Sequence, residues 1–240
     1  MGKGNALIIG GSRGIGAEMV RLLSEEGYSV AFTYAASHEG AALLAEETGA
    51  LAMCADSRSY TDMDRAIALF HERLGDADVL IGNAAVSEIG LFTDLTDERW
   101  EEIRRINLDA PMYYTRRFLP DMIAKKQGRV IMISSMWGQV GASCEVAYST
   151  TKAALIGFVK ALAKEVGPSG ITVNAIAPGV IKTDMNASLD ESTLASLAEE
   201  TPLCRLGTAA EVARVALFLL GDGGDFITGQ TIAPNGGLVM

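Results

Sequence analysis

Soft metal ligands are scarce in this 240-residue chain: three cysteines (Cys54, Cys144, Cys204) and two histidines (His38, His71). No CxxC occurs and the cysteine number is odd. Neither a zinc site nor a disulfide framework is therefore expected, no metal is expected, and a reducing cytoplasm is the fitting setting. Positive charge is also short. Against 30 Asp and Glu stand 20 Lys and Arg, a net charge of −10. Such a surface repels phosphate backbones and anionic lipid, which argues against nucleic acid or membrane as the main partner. Long apolar runs are missing too. VARVALFLLG is shorter than the roughly 18–20 residues of a membrane span and is broken by Arg214. The start, MGKGNALIIGG, has no room for a signal-peptide core before its glycines, and Ala6 replaces the Ser/Thr of a myristoylation pattern.

What remains is 49% hydrophobic and 21% charged, the balance of a soluble globular protein. The length suits one domain, 1–240, with no repeat or linker. Apolar, β-rich runs at 6–10, 29–34, 50–54, 78–82, 129–134 and 171–177 read as strands, with a short final strand at 230–234. Helical patterns cover 14–26, 38–48, 60–74, 97–124, 147–167 and 207–220, and Pro111 and Pro120 should kink or divide the fourth. Strands apolar on both faces and separated by helices predict an α/β fold, a Rossmann-type doubly wound parallel sheet.

Directly after the first strand comes Ile9-Gly10-Gly11-Ser12-Arg13-Gly14-Ile15-Gly16, opening into a helix. Glycines allow a tight turn and close approach to a pyrophosphate, whose charge then meets the N–H groups of the helix start. An unliganded glycine-rich turn would look the same. The spacing is GxxxGxG (Gly10, Gly14, Gly16). At the end of the second strand, Thr33 to His38 carries no acid before Glu39, while Arg13 and Ser37 can reach that region. An acid would repel a 2′-phosphate and a guanidinium can bind one, so NADP(H) is favoured and NAD(H) remains possible.

Tyr148 and Lys152, four apart, share a face at a helix start, at the carboxyl edge of the sheet. Ser135 lies at the end of the preceding strand. Reducing a ketone needs hydride at carbon and a proton at oxygen. Tyrosine, with a pKa of about 10, is expected to fall by about three units, near 4 kcal/mol, and a lysine ammonium ~4 Å away supplies about that much. Ser135 would donate to the developing oxyanion. A serine hydrolase is excluded: no histidine lies near and no G-x-S-x-G occurs.

With those residues placed, the chain from Ala6 to Met240 resembles a short-chain dehydrogenase/reductase, most like the 3-oxoacyl-carrier-protein reductase branch. The motifs are the glycine loop, Asp56, GNAA (82–85), Asn107, Ser135, YSTTK, PGVIKTDM (178–185), ITGQ (227–230) and NGG (235–237). The resemblance implies a reductase of a small-molecule, carrier-bound or protein-bound ketone, assembled as a homotetramer or dimer. It places Asn107 in the catalytic set through a proton-relay water, although a helix-interior asparagine at a kink is the plain reading of that residue alone. For the cofactor it implies Asp56 on adenine and Asn83 and Ala84 on the adenosine side. Ile181 and Thr183 would hold the nicotinamide carboxamide. Gly10, Ser12, Arg13, Gly14, Ile15, Gly16, Tyr34, Ser37, Ser57, Pro178 and Gly179, with Tyr148 and Lys152, complete the expected cofactor set.

Some positions depart from the branch. Ile9 replaces Thr, Gly82 and Ala85 alter the usual NNAG, and Glu145 and Ala147 stand where Gln and Asn are common. Lys125, Lys126 and Arg129 form either a carrier-docking patch or a solvated helix cap. SSMWGQVGASCEVAYS (134–149) is similar to another branch, the elongation factor P 5-aminopentanone reductases, whose ketone carries an amine. Trp137 and Glu145 are accordingly expected in the substrate pocket, or as a core tryptophan and a solvent-facing acid; Cys144 reads as packing. A steroid or sugar-alcohol dehydrogenase and a non-catalytic nucleotide sensor stay open. Residues 181–205, polar and weakly patterned, are expected to form a mobile flap over the substrate, and Ala154, Gly157, Phe158 and Ala161 a small face for subunit packing.

Overall fold

Alternation within the first strand decides which core each residue joins. In β1 (Asn5–Ile9), Leu7 and Ile9 enter one apolar cluster, with Phe70, Tyr114, Phe118 and Val159, while Ala6 and Ile8 enter the other, with Phe32, Val20, Val212 and Leu219. The period of two sends successive side chains to opposite faces, and both faces are covered. The computed structural model describes residues 3–183 and 190–240.

Around β1 the sheet grows in both directions: β2 (Ser29–Tyr34) and β3 (Leu51–Cys54) on one side, β4 (Val79–Gly82), β5 (Gly128–Ile133), β6 (Ile171–Ile176) and β9 (Thr231–Ile232) on the other. The order is β3-β2-β1-β4-β5-β6-β9, all parallel. This is the expected doubly wound α/β sheet. Strand order reverses between β1 and β4, so the loops leaving their carboxyl ends diverge and open a crevice, the place where such sheets bind ligands.

The helices are α1 (Gly14–Glu25), α2 (His38–Thr48), α3 (Tyr60–Leu74), α4 (Asp97–Arg104), α5 (Ala110–Lys125), α6 (Trp137–Val140), α7 (Val146–Val166), α8 (Glu191–Glu200) and α9 (Ala209–Leu220). The expected division of 97–124 is present, but it falls before both prolines. A π-helical turn, Arg105–Asp109, separates α4 from α5 within one continuous helical run; Pro111 follows it closely and, lacking an N–H, cannot donate back to that turn, and Pro120 lies within α5.

The segment expected as a weakly patterned flap contains regular structure. Ile181–Lys182 (β7) pairs with Gly207–Thr208 (β8), and α8 is capped by Asp190, whose carboxylate accepts the Thr193 amide. The middle of that flap, with Asp184 and Met185 of the PGVIKTDM motif, lies outside the described residues. Helix α9 begins two residues later than expected, because Gly207 and Thr208 are strand and Thr208 forms a capping box with Glu211.

Candidate active site

The turn after β1 is built on contacts that no larger residue could make. Gly10 has φ +77°, and a Cβ there would lie 2.7 Å from the Ala84 Cα; one at Gly16 would lie 2.2 Å from the Gly10 carbonyl oxygen. Asn83 ties the same carbonyl down from β4 with its Nδ2 at 2.6 Å. Arg13 precedes α1 without capping it, leaving the first amides of the helix to face the crevice.

That crevice is a cleft of about 500 Å³. Of the expected cofactor residues, Gly10, Ser12, Arg13, Gly14, Ile15, Tyr34, Ser37, Asp56, Ser57, Asn83, Ala84 and Thr183 line it. Gly16 and Gly179 are instead pressed against backbone, Gly179 on Asn235, and the Pro178 carbonyl accepts the Met136 amide at 3.0 Å. Ile181 is buried in the second core. These four shape the walls rather than line the cleft. Val86, Ser87, Arg99 and Ile106 also line it and were not expected; an arginine in the first turn of an amphipathic helix gives no sign of its neighbours. The Asp56 carboxylate is taken by Arg58, whose hydrogen bonds hold its pKa below the ordinary value. Exposed amides at the glycine turn, a guanidinium beside the end of β2 and a long cleft fit a dinucleotide.

Ser135, Tyr148, Lys152 and Asn107 come from three separate elements and meet at the end of β5. Tyr148, in the first turn of α7, is buried and shares a hydrogen bond with Ser135. The Ser135 Oγ also accepts the Trp137 amide at 3.1 Å. Lys152 is buried one turn further on, and its Nζ donates to the Ile133 carbonyl oxygen at 2.8 Å. Asn107, in the π turn, accepts the Val86 amide through Oδ1 at 2.8 Å; its Nδ2 donates to the Val86 carbonyl at 2.9 Å and to Thr151 Oγ1 at 3.2 Å. Both its amide protons are thereby committed.

The expected lowering of the tyrosine pKa is not found in the chain by itself. Burial pushes Tyr148 up to about 12, against the Ser135 hydrogen bond and with a smaller push from Glu145. Burial also drops Lys152 to about 7, so at neutral pH its charge is only partly present. The lysine is desolvated as fully as the phenol beside it, so burial takes away the charge that would have stabilised the phenolate.

Glu145 and Trp137 stand together just outside this group. Glu145 is half-buried; desolvation raises its pKa, and a hydrogen bond from the Trp137 side chain opposes the rise. Trp137 is partly exposed, not a core residue. The basic docking patch is largely neutralised: Lys125 pairs with Asp78 at 3.0 Å and Arg129 with Asp225 at 2.6 Å. All three cysteines are free, and no helix among the described residues is long and apolar enough to cross a membrane.

Fold and site together define an α/β oxidoreductase that binds a nicotinamide dinucleotide. A family model described as Enoyl-(Acyl carrier protein) reductase matches residues 9–239. The chain is 40% identical over 233 residues, 97% of each protein, to the acetoacetyl-CoA reductase of Shinella zoogloeoides. It is 36% identical over 241 residues, 98% of each, to the 3-oxoacyl-[acyl-carrier-protein] reductase FabG of Staphylococcus aureus. A blue fluorescent protein from a metagenomic library, solved in complex with NADPH, superposes with a TM-score of 0.93 at 32% identity, over 100% of this chain and 99% of that one. This chain belongs to the short-chain dehydrogenase/reductase family.

Proposed function

We propose that the chain is an NADPH-dependent reductase that turns a ketone, such as a 3-oxoacyl thioester, into an alcohol. The observation that carries this reading is the hydrogen-bonded pair Ser135 and Tyr148 at the end of β5, with Lys152 one turn beyond and Asn107 bound to Thr151 between them. When bound, the dinucleotide supplies the hydride. Ser135 and Tyr148 hold the substrate oxygen between two hydroxyl groups, and Tyr148 gives it a proton. A pKa near 12 keeps that phenol protonated at working pH, as a donor must be. Lys152, donating to the Ile133 carbonyl, fixes the depth of the site and holds the nicotinamide ribose. With its amide protons committed, Asn107 serves a relay water through its main chain.

For the choice of dinucleotide, Thr33, Tyr34, Ala35, Ala36 and Ser37 line the cleft at the end of β2 with Arg13, and none of them is acidic. A guanidinium facing hydroxyl groups favours a 2′-phosphate. Homologous reductases of acyl-carrier and coenzyme A thioesters make a 3-oxoacyl group the first substrate to test.

A second reading has its own support. Glu145 is a half-buried carboxylate close enough to raise Tyr148, and it makes no ion pair among the described residues. Such a group, beside the Trp137 ring, suits a ketone that carries an ammonium. On either reading the assembly is a homotetramer, packed through the outer face of α7, where Gly157 and Ala161 are exposed. The segment around α8 closes over the substrate.

The test is NADPH oxidation with acetoacetyl thioester and with an amine-bearing ketone, in wild type and Tyr148→Phe. Turnover of either ketone that Tyr148→Phe reduces by about a thousandfold or more supports the reading. Equal slow oxidation by both proteins on every ketone refutes it.

A further inference from the structure

We propose that Arg99 is a positioning residue that couples the adenosine end of the cleft to the Val86–Gly90 segment at its catalytic end. The inference rests on the reductase reading in taking the cleft as the place of the dinucleotide and Asp56 as its adenine contact.

Arg99, in the first turn of α4, reaches three partners: the Glu88 carboxylate through Nε, Glu102 through Nη1, and the Ser87 carbonyl through Nη2 at 3.3 Å. Glu102 also accepts Arg58 at 3.0 Å, and Arg58 grips Asp56 through Nη2 at 2.7 Å and Nε at 3.0 Å. Five alternating charges thus run Asp56, Arg58, Glu102, Arg99, Glu88. The cleft touches this chain at Asp56 and again at Arg99 and Ser87.

The far end of the chain matters because of what holds it. Val86 is bound through both backbone groups to Asn107, and the Gly90 amide donates to the Cys144 carbonyl at 2.9 Å, four residues before Tyr148. A shift of Val86–Gly90 is therefore felt at the π turn and at the loop leading into Tyr148. Nothing else on α4 reaches the segment by a side-chain hydrogen bond among the described residues.

The sign follows from competition. A ligand that donates hydrogen bonds to the Asp56 carboxylate loosens its hold on Arg58, which turns more fully to Glu102. Glu102 then holds Arg99 less, and Arg99 closes on Glu88 and the Ser87 carbonyl. Occupancy at Asp56 thus tightens Val86–Gly90, and by linkage an ordered segment tightens the dinucleotide. These pairs are partly exposed and individually weak, so the coupling is expected to be about threefold to tenfold.

The test uses hydrogen exchange of the 84–91 stretch, which needs no turnover. NADPH should slow exchange there in wild type, and Arg99→Gln should lose about threefold or more of that protection while still binding NADPH. In kinetics, Glu88→Gln, which lies outside the cleft lining and cuts the same link at its far end, should raise KM for the ketone about threefold to tenfold with NADPH at little cost in kcat. With reduced nicotinamide mononucleotide, which has no adenosine to meet Asp56, wild type and variant should share one KM. If Arg99→Gln melts early, Glu88→Gln should give the same loss of protection. Equal protection of 84–91 in wild type and both variants overturns the coupling. A wild type that binds NADPH yet reduces no ketone ends the reductase reading, and the exchange comparison still decides the coupling.

Discussion

The Lys152 nitrogen lies 5.5 Å from the centre of the Tyr148 ring, yet its hydrogen bond goes to the Ile133 carbonyl oxygen, 2.8 Å away. The lysine is thus a buried amine anchored to the sheet, its charge only partly present at neutral pH, beside a phenol that burial keeps protonated.

This burial predicts a pH dependence of stability. Lys152 falls from 10.5 in the unfolded chain to about 7 in the folded one. Between those values the unfolded chain holds a proton that the folded chain lacks, so stability rises with pH across the window and the penalty is fullest below it. Lys152→Met should therefore melt higher than wild type near pH 6, with an advantage of up to a few kcal/mol that fades by about pH 10. A difference that stays constant across melts from pH 6 to 10 would refute the depressed pKa.

On the NADPH reading, Arg13, which lines the cleft beside the end of β2, meets the 2′-phosphate. Placing a carboxylate there with Arg13→Glu should raise KM for NADPH roughly tenfold to a hundredfold, the scale of a lost charged hydrogen bond, and leave that for NADH nearly unchanged. Parallel loss with both cofactors would assign Arg13 to the fold of the turn rather than to the 2′-phosphate.

Gly157 separates folding from assembly. A Cβ there meets nothing within 4 Å in the single chain, so Gly157→Ala should stabilise α7 by about 0.5–1 kcal/mol. If α7 packs closely against a second subunit, the same methyl intrudes. Sedimentation should then show a smaller particle that, measured as a monomer, melts higher; an unchanged assembly would move the interface elsewhere.

Glu145→Gln keeps the shape of the Trp137 contact and removes the charge. A several-fold loss of preference for an amine-bearing ketone over a neutral one is expected if the carboxylate meets the ammonium. Identical preference in both proteins would leave the 3-oxoacyl reading alone.

Much of this arrangement was legible in the chain. Six apolar runs set the strands within a residue or so, and the glycine spacing located the cleft. Chain order also brought Ser135, Tyr148 and Lys152 to one end of β5. The break between α4 and α5 was read at the wrong residues, because proline is a visible helix breaker and a π turn is not. The extra residue that swings Asn107 inward leaves no mark in the pattern around RINLD. Nor could the pKa of Lys152 be read: it depends on the depth of the whole α7–β5 packing, not on its spacing from Tyr148. Arg99 was missed for a similar reason, since its partners lie on a loop and on its own helix surface.

The loop between Ser135 and Tyr148 is closed at its base. Ser134 Oγ bonds the Lys152 carbonyl, Ser149 Oγ receives the Ala142 amide, and Gly138 lies so close that a Cβ would stand 2.7 Å from the Lys152 carbonyl carbon. Residues 139–146 thereby hang on backbone ties, with Ala142 held by Ser149 and Cys144 by the Gly90 amide, like a cassette in a frame. Side chains changed within this stretch should therefore leave Ser135, Tyr148 and Lys152 in register. On the reductase reading, a change of substrate would then ask for new side chains on one short insert and leave the reacting groups as they are.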